Sequence, residues 1–497
     1  MDKRIVRCLD DLRKSGLLSD IGGDWNLPDD CSLKCDSRTV GPGDIFACVP
    51  GLHSDGHDFI GDVLTKGAGG LIIQRPIYGL QIPWIEVKDV RAAMGFIAAS
   101  LYNEPTFALK MYGITGTQGK STTNYIVRNI LESAGLKCGM LGTSSYYDGK
   151  KEFPADRTTP ESAVVQSYLK SMVENGCHAC TMECSSHGIV QGRLCGCKYD
   201  GAVFTNLTPE HLDFHHTMEN YFAAKCALFK SYLKPEGKIA PNVSNEYGRR
   251  VAQMFPSSIT WGVEVPARVQ GLNLDLETSK SEFDLTFDGV KVARVNLPLI
   301  GKFNVENALG AAAICLATGI DGESVVKGLE KLPQVPGRVE KLMLENGVCV
   351  IIDYAHTADS LRTLLLSIHP LVKGRLACVF GHGGDRFKPH RRLLGRAAAE
   401  FANRIFVTED NSRFEDPVAI ALEIAAGIKE VRTGGWSIEI PRSLAIEKAL
   451  DWCKRGDVLV ISGKGAEPYI EKNGTKYQYS DKAAVENWAH KKGLCVS

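Results

Sequence analysis

A glycine-rich segment between an expected strand and an expected helix constrains this fold most. It reads Gly113-Ile-Thr-Gly-Thr-Gln-Gly-Lys-Ser-Thr-Thr123, follows an apolar run at 107–112 that predicts a strand, and precedes a predicted helix at 124–131. Such a turn aims backbone N–H groups and a helix N-terminus at an anion. Lys120 would add a positive charge near the terminal phosphates, and Ser121 or Thr122 a hydroxyl for Mg²⁺. The segment therefore predicts a nucleoside triphosphate site.

The segment departs from the strict phosphate-loop pattern, because Ile114 stands where the leading glycine is expected. The additional glycines Gly113 and Gly116 indicate a variant loop. An ordinary glycine-rich turn before a helix is the alternative. The strand–turn–helix setting favours phosphate binding, since that setting is the one that the motif requires.

The length of 497 residues predicts about three domains. Residues 1–105 are expected to form a small mixed α/β domain. Residues 106–337 alternate strands and helices, which predicts a central phosphate-loop domain with a parallel sheet and a hairpin insertion at 268–297. After a proline-rich linker at 332–338, residues 338–497 repeat the alternation and predict a doubly wound, Rossmann-like α/β domain.

Charge and hydropathy exclude several classes of partner. The formal net charge is zero and no long basic run occurs, so neither nucleic acid nor an anionic membrane is expected as a partner. The first residues lack the apolar core of a signal peptide, and no apolar stretch is long enough to span a bilayer. We expect a cytoplasmic protein, with a monomer as the expected state.

The 16 cysteines are scattered, and in an unsecreted chain they should be reduced thiols. Cys177, Cys180 and Cys184, together with Cys195 and Cys197, have spacings from which a structural zinc site is conceivable. The alternating side chains of residues 179–185 are instead typical of a buried strand, where cysteine behaves as a small hydrophobic residue. We favour buried thiols.

Polar side chains follow two expected strands of the central domain, in the segments 182–187 and 204–215. Glu183 and His211 are candidates for a magnesium site, the carboxylate as a hard oxygen ligand. The alternative is that His211 and His215 cap loops or pair with Asp213. Lys225 lies on an otherwise apolar helix, where the sequence alone favours a side chain that reaches out to solvent.

Ten motifs, in order along the whole chain, resemble the Mur ligase family. They are Asp36-Ser-Arg38, 113–123, Thr158-Thr-Pro160, 182–187, Gln191-Gly-Arg193, 204–215, Ala223-Ala-Lys225, 301–307, Pro336-Gly-Arg338 and 353–357. The resemblance is to the members that add the third residue of the peptide. It implies an ATP-dependent ligase that adds meso-diaminopimelate to UDP-N-acetylmuramoyl-L-alanyl-D-glutamate through an acyl phosphate, in peptidoglycan precursor synthesis.

The resemblance also implies roles for individual residues. ATP would contact Gly116, Thr117, Gln118, Gly119, Lys120, Ser121, Thr122, Asn304, Asn307, Arg338 and Asp353. The metal Mg²⁺ would be held by Ser121, Glu183, His211 and a carbamylated Lys225; Lys120, Lys225, His211 and Glu183 would be catalytic. The UDP-muramoyl peptide would contact Ser37, the neighbourhood of His53, Thr158, Thr159, Ser185, Gln191 and Arg193. The three domains would bind the UDP group, ATP and the incoming amino acid, in that order.

The incoming amino acid would be recognised by Arg386, Asn411, Arg413, Gly463 and Glu467. A bidentate arginine suits the distal carboxylate of diaminopimelate, and Glu467 would hold its distal ammonium. Ser412 replaces the usual proline and Ala466 the usual histidine of these motifs. Since Arg413 and Glu467 remain, diaminopimelate is preferred.

Four alternatives remain open from the sequence. An L-lysine-adding ligase or a folate-type polyglutamate ligase would keep the chemistry, although the amino-terminal domain argues against the folate relative. A non-catalytic nucleotide-binding scaffold should have lost reactive positions, yet Lys120, Glu183, His211 and Lys225 are present. A plain phosphotransferase would release phosphate without an added amino acid.

Overall fold

The computed structural model describes residues 1–51, 54–277 and 279–496. The chain forms two compact units. The first comprises Met1–Gln270, Phe287–Gly289 and Leu309–Gly328, and the second comprises Gly271–Thr286, Val290–Ala308 and the chain from Leu329 onward. Both units contain β-sheets and α-helices, so the α/β prediction is confirmed. The domain limits at 105 and 337 stay a prediction.

The amino-terminal part of the first unit contains a five-stranded sheet in the order β1-β5-β4-β3-β2. Strand β1 pairs antiparallel with β5, and the other neighbours are parallel. The elements are α1 (Lys3–Lys14), β1 (Leu18–Gly22), β2 (Leu33–Lys34), β3 (Ile45–Ala47), α2 (Ile60–Thr65), β4 (Gly70–Ile73), β5 (Trp84–Val87), α3 (Val90–Leu101) and α4 (Pro105–Ala108).

The rest of the first unit surrounds a seven-stranded sheet in the order β12-β11-β6-β10-β7-β8-β9, parallel from β12 to β7. Its elements are β6 (Lys110–Thr115), α5 (Lys120–Ser133), β7 (Cys138–Leu141), β8 (Ser145–Tyr147), β9 (Glu152–Pro154), α6 (Ser162–Glu174), β10 (Ala179–Glu183), α7 (Ser186–Val190), β11 (Tyr199–Phe204), α8 (Leu212–His215), α9 (Met218–Ser231), β12 (Leu233–Pro241), α10 (Glu246–Met254) and β13 (Trp261–Val263). The register aligns the ends of β6, β10 and β11, because Ile114 lies beside Glu183 and Thr115 beside Phe204.

The hairpin predicted at 268–297 consists of three adjacent strands rather than two. These are β14 (Val269–Leu276), β15 (Ser281–Phe287) and β16 (Val290–Leu297). They are followed by α11 (Lys302–Ala317) and α12 (Gly322–Glu330).

The second unit is built on a six-stranded sheet in the order β17-β18-β22-β19-β20-β21, parallel from β18 onward. Its elements are β17 (Glu340–Met343), β18 (Cys349–Asp353), α13 (Ala358–Ile368), β19 (Leu376–Phe380), α14 (Pro389–Phe401), β20 (Arg404–Val407), α15 (Pro417–Lys429), β21 (Trp436–Ile438), α16 (Arg442–Trp452), β22 (Val458–Ser462), β23 (Tyr469–Lys472), β24 (Thr475–Gln478) and α17 (Asp481–Lys491). Asp353, Ser462 and Phe380 lie side by side in the register, so the loops that follow them start from one edge.

Most predicted elements are confirmed, with boundary corrections. The strand predicted at 107–112 begins at Lys110, because Pro105 starts a short helix. The helix predicted from residue 124 begins at Lys120, directly after the glycine turn. The four strands predicted after residue 348 are present, whereas β17, β21 and the β23–β24 hairpin were not predicted.

The cysteines of the central segment lie in its hydrophobic core. Cys177, Cys180, Cys184 and Cys197 pack with the side chains of residues such as Met182, and Cys195 is buried as well. All five are free thiols. Burial raises the pKa of the Cys184 thiol to about 12, which keeps it protonated and unreactive. Among the described residues, no group of three histidine, cysteine, aspartate or glutamate side chains is placed to hold a metal ion.

No helix within the described residues is sufficiently long and apolar to cross a bilayer.

Candidate functional site

The phosphate-loop candidate is a tight turn between β6 and α5. Gly116 has φ +150° and Gly119 has φ +81°, conformations that side chains disfavour. A Cβ added at Gly116 would lie 1.9 Å from the hydroxyl oxygen of Thr205, so this glycine is also required by space. The two glycines therefore allow the backbone to turn tightly at the N-terminus of a 14-residue helix, where N–H groups can face an anion.

The segment after β11 fixes the conformation of this loop. The backbone N–H of Thr117 donates to the carbonyl of Asn206 at 2.9 Å. The Asn206 side-chain oxygen accepts from the N–H of Gln118 at 2.9 Å, and the Thr205 hydroxyl donates to the Gln118 carbonyl at 2.6 Å. The Thr117 hydroxyl lies 3.2 Å from that of Tyr221. The loop is thus held from the neighbouring strand end.

Two lysines converge on one carbonyl of the loop. Lys120 Nζ donates to the Gly116 carbonyl at 3.1 Å and to the Thr117 carbonyl at 2.9 Å. Lys225, on α9, donates to the same Gly116 carbonyl at 2.7 Å and is 1% exposed. The expectation that Lys225 reaches solvent is wrong, because α9 directs this side chain into the site. Burial, followed by the charge of Lys120, lowers the pKa of Lys225 well below its usual value.

Glu183 ends β10 close to the same edge of the sheet and is 1% exposed. Its two carboxylate oxygens accept from the backbone N–H of Thr143 at 2.8 Å and from the Thr143 hydroxyl at 3.0 Å. The same hydroxyl is 3.1 Å from that of Thr158. Thr143 therefore orients the carboxylate, and each oxygen keeps acceptor capacity for a further ligand.

The ring of His187 contacts two other histidine rings beside the loop. The ring of His187, on α7, lies 4.7 Å from that of His211 and 5.6 Å from that of His215. His211 has φ +57° at the start of α8, and partial burial lowers its pKa to about 4. His215 accepts or donates a 2.9 Å hydrogen bond with Ser186 rather than pairing with Asp213. A neutral imidazole at His211 has the protonation state that metal binding needs.

The predicted muramoyl-peptide contacts lie together. The Thr159 hydroxyl donates to the carbonyl of Glu183 at 2.8 Å and lies 3.0 Å from the hydroxyl of Ser185, which caps α7. Arg193 donates to the Thr159 carbonyl at 3.0 Å and to the Gln191 side chain at 2.6 Å. These contacts connect the predicted peptide site to the end of β10.

The predicted uridine-diphosphate residue Ser37 lies in a short 3₁₀ turn capped by Asp36. Its carbonyl accepts from Lys66 Nζ at 2.6 Å. His53, also expected near this site, lies outside the described residues.

Four of the predicted ATP residues belong to the second unit. Asp353 ends β18, and its carboxylate accepts from the N–H groups of Val339 at 2.8 Å and Ala355 at 2.7 Å. The Arg338 guanidinium lies 4.5 Å from the centre of the Tyr354 ring. In addition, Asn304 and Asn307 are hydrogen-bonded to each other at 3.1 Å and are buried.

The predicted amino-acid residues meet at the carboxyl edge of the second unit's sheet. Glu467 Oε2 accepts from the Asn411 amide at 3.0 Å and from Lys464 Nζ at 2.9 Å. Lys464 is fully buried and donates as well to the Asn411 side-chain oxygen at 3.1 Å. Asn411 and Glu467 are thereby locked to each other by a lysine that the sequence did not identify.

Arg413 and Gly463 lie in adjacent loops of this edge. Arg413 has φ +49° and donates to the Gly384 carbonyl at 2.5 Å, with its Nε 3.5 Å from Glu471. Gly463 has φ +114°, and a Cβ there would lie 2.7 Å from Asp410 Oδ2. Arg386 is exposed in the loop after β19. The edge thus presents two guanidinium groups and the carboxylate of Glu467.

A buried ion pair lies beneath these loops. Arg442 and Asp481 are both fully buried, and the guanidinium donates to the two carboxylate oxygens at 2.7 and 2.8 Å. Arg442 also donates to the carbonyls of Ser462 at 2.9 Å and Glu409 at 3.3 Å. These carbonyls directly precede Gly463 and Asp410, so the pair fixes the starting points of both loops.

Residues that the sequence did not identify include Thr143, Tyr221, Lys464, Arg442 and Asp481. Lys464 carried a signal, because a lysine between two glycines directly after an apolar strand is unusual. The others stand in unremarkable surroundings along the chain, and only the fold brings them to the site.

Comparison with known protein families decides the classification. The profile described as "Mur ligase middle domain" matches residues 114–315, "Mur ligase, glutamate ligase domain" matches 337–465, and "Mur ligase family, catalytic domain" matches 32–102. The chain belongs to the Mur ligase family.

Curated relatives of this Mur ligase cover nearly its whole length. A UDP-N-acetylmuramoyl-L-alanyl-D-glutamate–2,6-diaminopimelate ligase 1 of Clostridium acetobutylicum is 39% identical over 94% of this chain and 96% of the relative. The corresponding ligase of Gloeobacter violaceus is 39% identical over 95% and 96%.

Solved structures show the same fold. A UDP-N-acetylmuramoyl-L-alanyl-D-glutamate–2,6-diaminopimelate ligase superimposes with a TM-score of 0.65 at 29% identity, covering 93% of this Mur ligase and 95% of that chain. The MurF ligase of Thermotoga maritima, in complex with ADP, has a TM-score of 0.66 at 19% identity, covering 87% and 94%.

Proposed function

We propose that this Mur ligase joins meso-diaminopimelate to UDP-N-acetylmuramoyl-L-alanyl-D-glutamate at the expense of ATP, releasing ADP and phosphate. The two curated relatives described above are named as ligases of UDP-N-acetylmuramoyl-L-alanyl-D-glutamate and 2,6-diaminopimelate. The observation that carries the choice of amino acid is the carboxylate of Glu467, held by Asn411 and Lys464 in the same edge as Arg413. A carboxylate and a guanidinium complement the ammonium and carboxylate of the distal end of diaminopimelate.

The chemistry requires activation, because a carboxylate is a poor electrophile at neutral pH. The glutamyl carboxylate attacks the γ-phosphoryl group of ATP, and ADP leaves. The amine of the incoming amino acid then attacks the acyl phosphate, and the tetrahedral intermediate collapses to the amide with loss of phosphate. Lys120 at the loop counters the charge that develops on the transferred phosphoryl group. Positioning of three substrates supplies much of the remaining rate.

The donors beside the loop fit Mg²⁺. Ser121 and Glu183 offer oxygen atoms, and the lowered pKa of His211 keeps its imidazole neutral. When bound, the ion would neutralise phosphate charge. As an ammonium, Lys225 would oppose a cation, but as a carbamate it would offer an oxygen. The burial that lowers the pKa of Lys225 favours the neutral amine, which is the form that adds to CO₂ with loss of a proton.

Carbamylation of Lys225 is measurable directly. Protein equilibrated with ¹³C-bicarbonate should give one carbamate carbon resonance, absent from Lys225→Met. A spectrum that is identical for the two proteins would contradict the modification.

We also propose that the protein is a monomer, acts in the cytoplasm and binds neither nucleic acid nor a membrane. Gel filtration with light scattering measures the oligomeric state directly. A mass of about 54 kDa is expected, since the chain has a mass of 54.2 kDa.

Phosphate release tests the reaction. With ATP, Mg²⁺ and UDP-N-acetylmuramoyl-L-alanyl-D-glutamate, release should require meso-diaminopimelate and stop in Lys120→Ala. Release that depends instead on L-lysine would assign the alternative specificity, for which the departures at Ser412 and Ala466 are the motivating observation. Release without any amino acid would favour a phosphotransferase, and no release would favour a non-catalytic scaffold.

A further inference from the structure

A short hairpin supports two of the residues that are predicted to contact the amino acid. It consists of β23 and β24, and Glu471 lies in β23. The backbone N–H of Glu471 donates to the side-chain oxygen of Asn411 at 3.0 Å, and its carbonyl accepts from the N–H of Arg413 at 3.1 Å. The N–H of Asn473 donates to the Arg413 carbonyl at 2.7 Å. The hairpin therefore fixes Glu471 beside both Asn411 and Arg413.

The hairpin is itself anchored on both sides of Glu471. Lys472 Nζ lies 2.7 Å from Glu409 Oε2, and the Glu409 side chain is 1% exposed. Ile470 precedes Glu471 in the strand and is buried. Because both neighbours of Glu471 are held, its carboxylate has a defined place at the edge that carries the amino-acid residues.

This carboxylate is paired with Arg413. Glu471 Oε2 lies 3.5 Å from Arg413 Nε, and both side chains are half-buried. In the part of the chain that the structure describes, no second carboxylate pairs with Arg413. Arg413 Nη1 donates to the Gly384 carbonyl. Because a guanidinium carries five N–H donors, further donors of Nη1 and Nη2 remain for a substrate carboxylate.

Positive and negative charges are equal in number among the predicted amino-acid contacts and their ion-pair partners. Lys464 Nζ lies 2.9 Å from Glu467 and 3.7 Å from Asp410. A Cβ added at Gly383 would lie 3.2 Å from Arg413 Nη1 and 3.6 Å from Arg386 Cγ, so the two arginines are neighbours. The set contains three cations and three anions: Arg386, Arg413 and Lys464, with Asp410, Glu467 and Glu471. Loss of the Glu471 charge would leave one positive charge in excess.

We propose that Glu471 determines which amino acid this edge accepts. Its charge offsets that of Arg413, so the edge favours a far end that carries an ammonium beside its carboxylate. A far end with a carboxylate alone is attracted by Arg413 and repelled by Glu471, and it has no ammonium to offset the repulsion. The inference rests on the proposed function, because it takes diaminopimelate as the amino acid, and it adds a residue outside the five predicted contacts.

A gain of activity tests this role. L-2-aminopimelate is diaminopimelate without the distal amine. Phosphate release with ATP, Mg²⁺ and UDP-N-acetylmuramoyl-L-alanyl-D-glutamate gives kcat/KM for each amino acid, in the natural protein and in Glu471→Gln. The variant should use L-2-aminopimelate about fivefold better than the natural protein does, as expected for loss of one half-buried charge near the ligand. A damaged fold would not produce such a gain.

The value for meso-diaminopimelate should change by about twofold or less in Glu471→Gln, because the attraction lost at the ammonium offsets the repulsion lost at the carboxylate. Added salt should reduce the gain for L-2-aminopimelate, since it screens charges that water reaches.

Two further variants separate the local charge from other effects. Glu447→Gln is the matched control, because it removes the same charge from an exposed pair with Lys491 in the same unit. It should leave both values of kcat/KM unchanged. Glu471→Asp keeps the charge and should keep the ratio of the two values close to that of the natural protein.

The ratio of the two kcat/KM values decides the outcome. If Glu471→Gln has the same ratio as Glu447→Gln, the inference is overturned and the proposed function is untouched. Equal losses for both amino acids would also overturn it, because Glu471 would then only position Arg413. If the natural protein does not use meso-diaminopimelate, the proposed function and this inference both fail.

Discussion

The two ends of the proposed reaction are built from different parts of the polypeptide. At the phosphate loop, the N–H groups of Thr117 and Gln118 and the Gln118 carbonyl are bonded to a neighbouring strand end. At the amino-acid end, the side chains of Asn411, Lys464 and Glu467 bond to one another, and their loops rest on a buried ion pair. A backbone site needs glycines in one short segment, whereas a side-chain framework can draw on distant segments. The two ends should therefore differ in how strongly single substitutions affect the stability of the fold.

The ion pair beneath the amino-acid loops should give the largest effect. Asp481→Asn leaves the guanidinium of Arg442 buried beside a neutral amide, and breaking such a pair costs about 3–5 kcal/mol. Urea unfolding should show this loss, and the KM for the amino acid should rise more than that for ATP. Asp10→Asn, which removes an exposed partner of Arg13, should leave both unchanged. Equal free energies of unfolding for the two variants would contradict the role of the buried ion pair in supporting the amino-acid loops.

Removal of the loop lysine should slow turnover strongly without destabilising the fold. Lys120→Ala should lower kcat by about 10²–10³-fold, as loss of a transition-state charge contact does, with unfolding close to that of the natural protein. Steady-state phosphate release gives kcat, and urea unfolding gives the stability. Lys137→Ala removes a lysine that also donates to a backbone carbonyl, that of Asn175, and serves as control. If Lys120→Ala lost as much stability as Asp481→Asn, the proposed difference between the phosphate loop and the amino-acid loops would be contradicted.

The carboxylate of Glu467 should matter for one substrate only. Glu467→Gln keeps the shape and removes the charge, so kcat/KM for diaminopimelate should fall about 10- to 150-fold, the range for a hydrogen bond to a charged group. The KM for ATP should stay constant. Glu447→Gln, at an exposed pair with Lys491, is the control. An equal effect on both substrates would show that Glu467 supports the fold rather than the amino acid.

The departure at Ala466 should have the smallest effect. The residue is exposed, so a histidine introduced there would extend into solvent. Ala466→His should change kcat/KM for diaminopimelate by about twofold or less, since surface substitutions are mostly within about 0.5 kcal/mol. A change above tenfold would place position 466 in direct contact with the amino acid.

The contrast between a short backbone loop and a framework of distant side chains also explains which features could be predicted from the sequence. The glycine-rich turn between a strand and a helix, the parallel strands around it and the buried cysteines were predicted correctly, because each is encoded in a local pattern. Lys225 was misjudged from the residues alone, since the sequence of a mostly apolar helix does not reveal that this lysine faces a loop 109 positions earlier. Arg442 and Asp481 could not be found, because partners 39 residues apart leave no local pattern.

Competition between amino acids tests the central claim, that the side-chain framework of the second unit selects diaminopimelate. The protein is supplied with ATP, Mg²⁺, the UDP-muramoyl dipeptide and equal concentrations of meso-diaminopimelate and L-lysine, and the products are resolved by mass spectrometry. The account predicts the diaminopimelate adduct almost exclusively, with Glu467→Gln losing most of that preference. A predominant lysine adduct, or a preference that Glu467→Gln leaves intact, would contradict it.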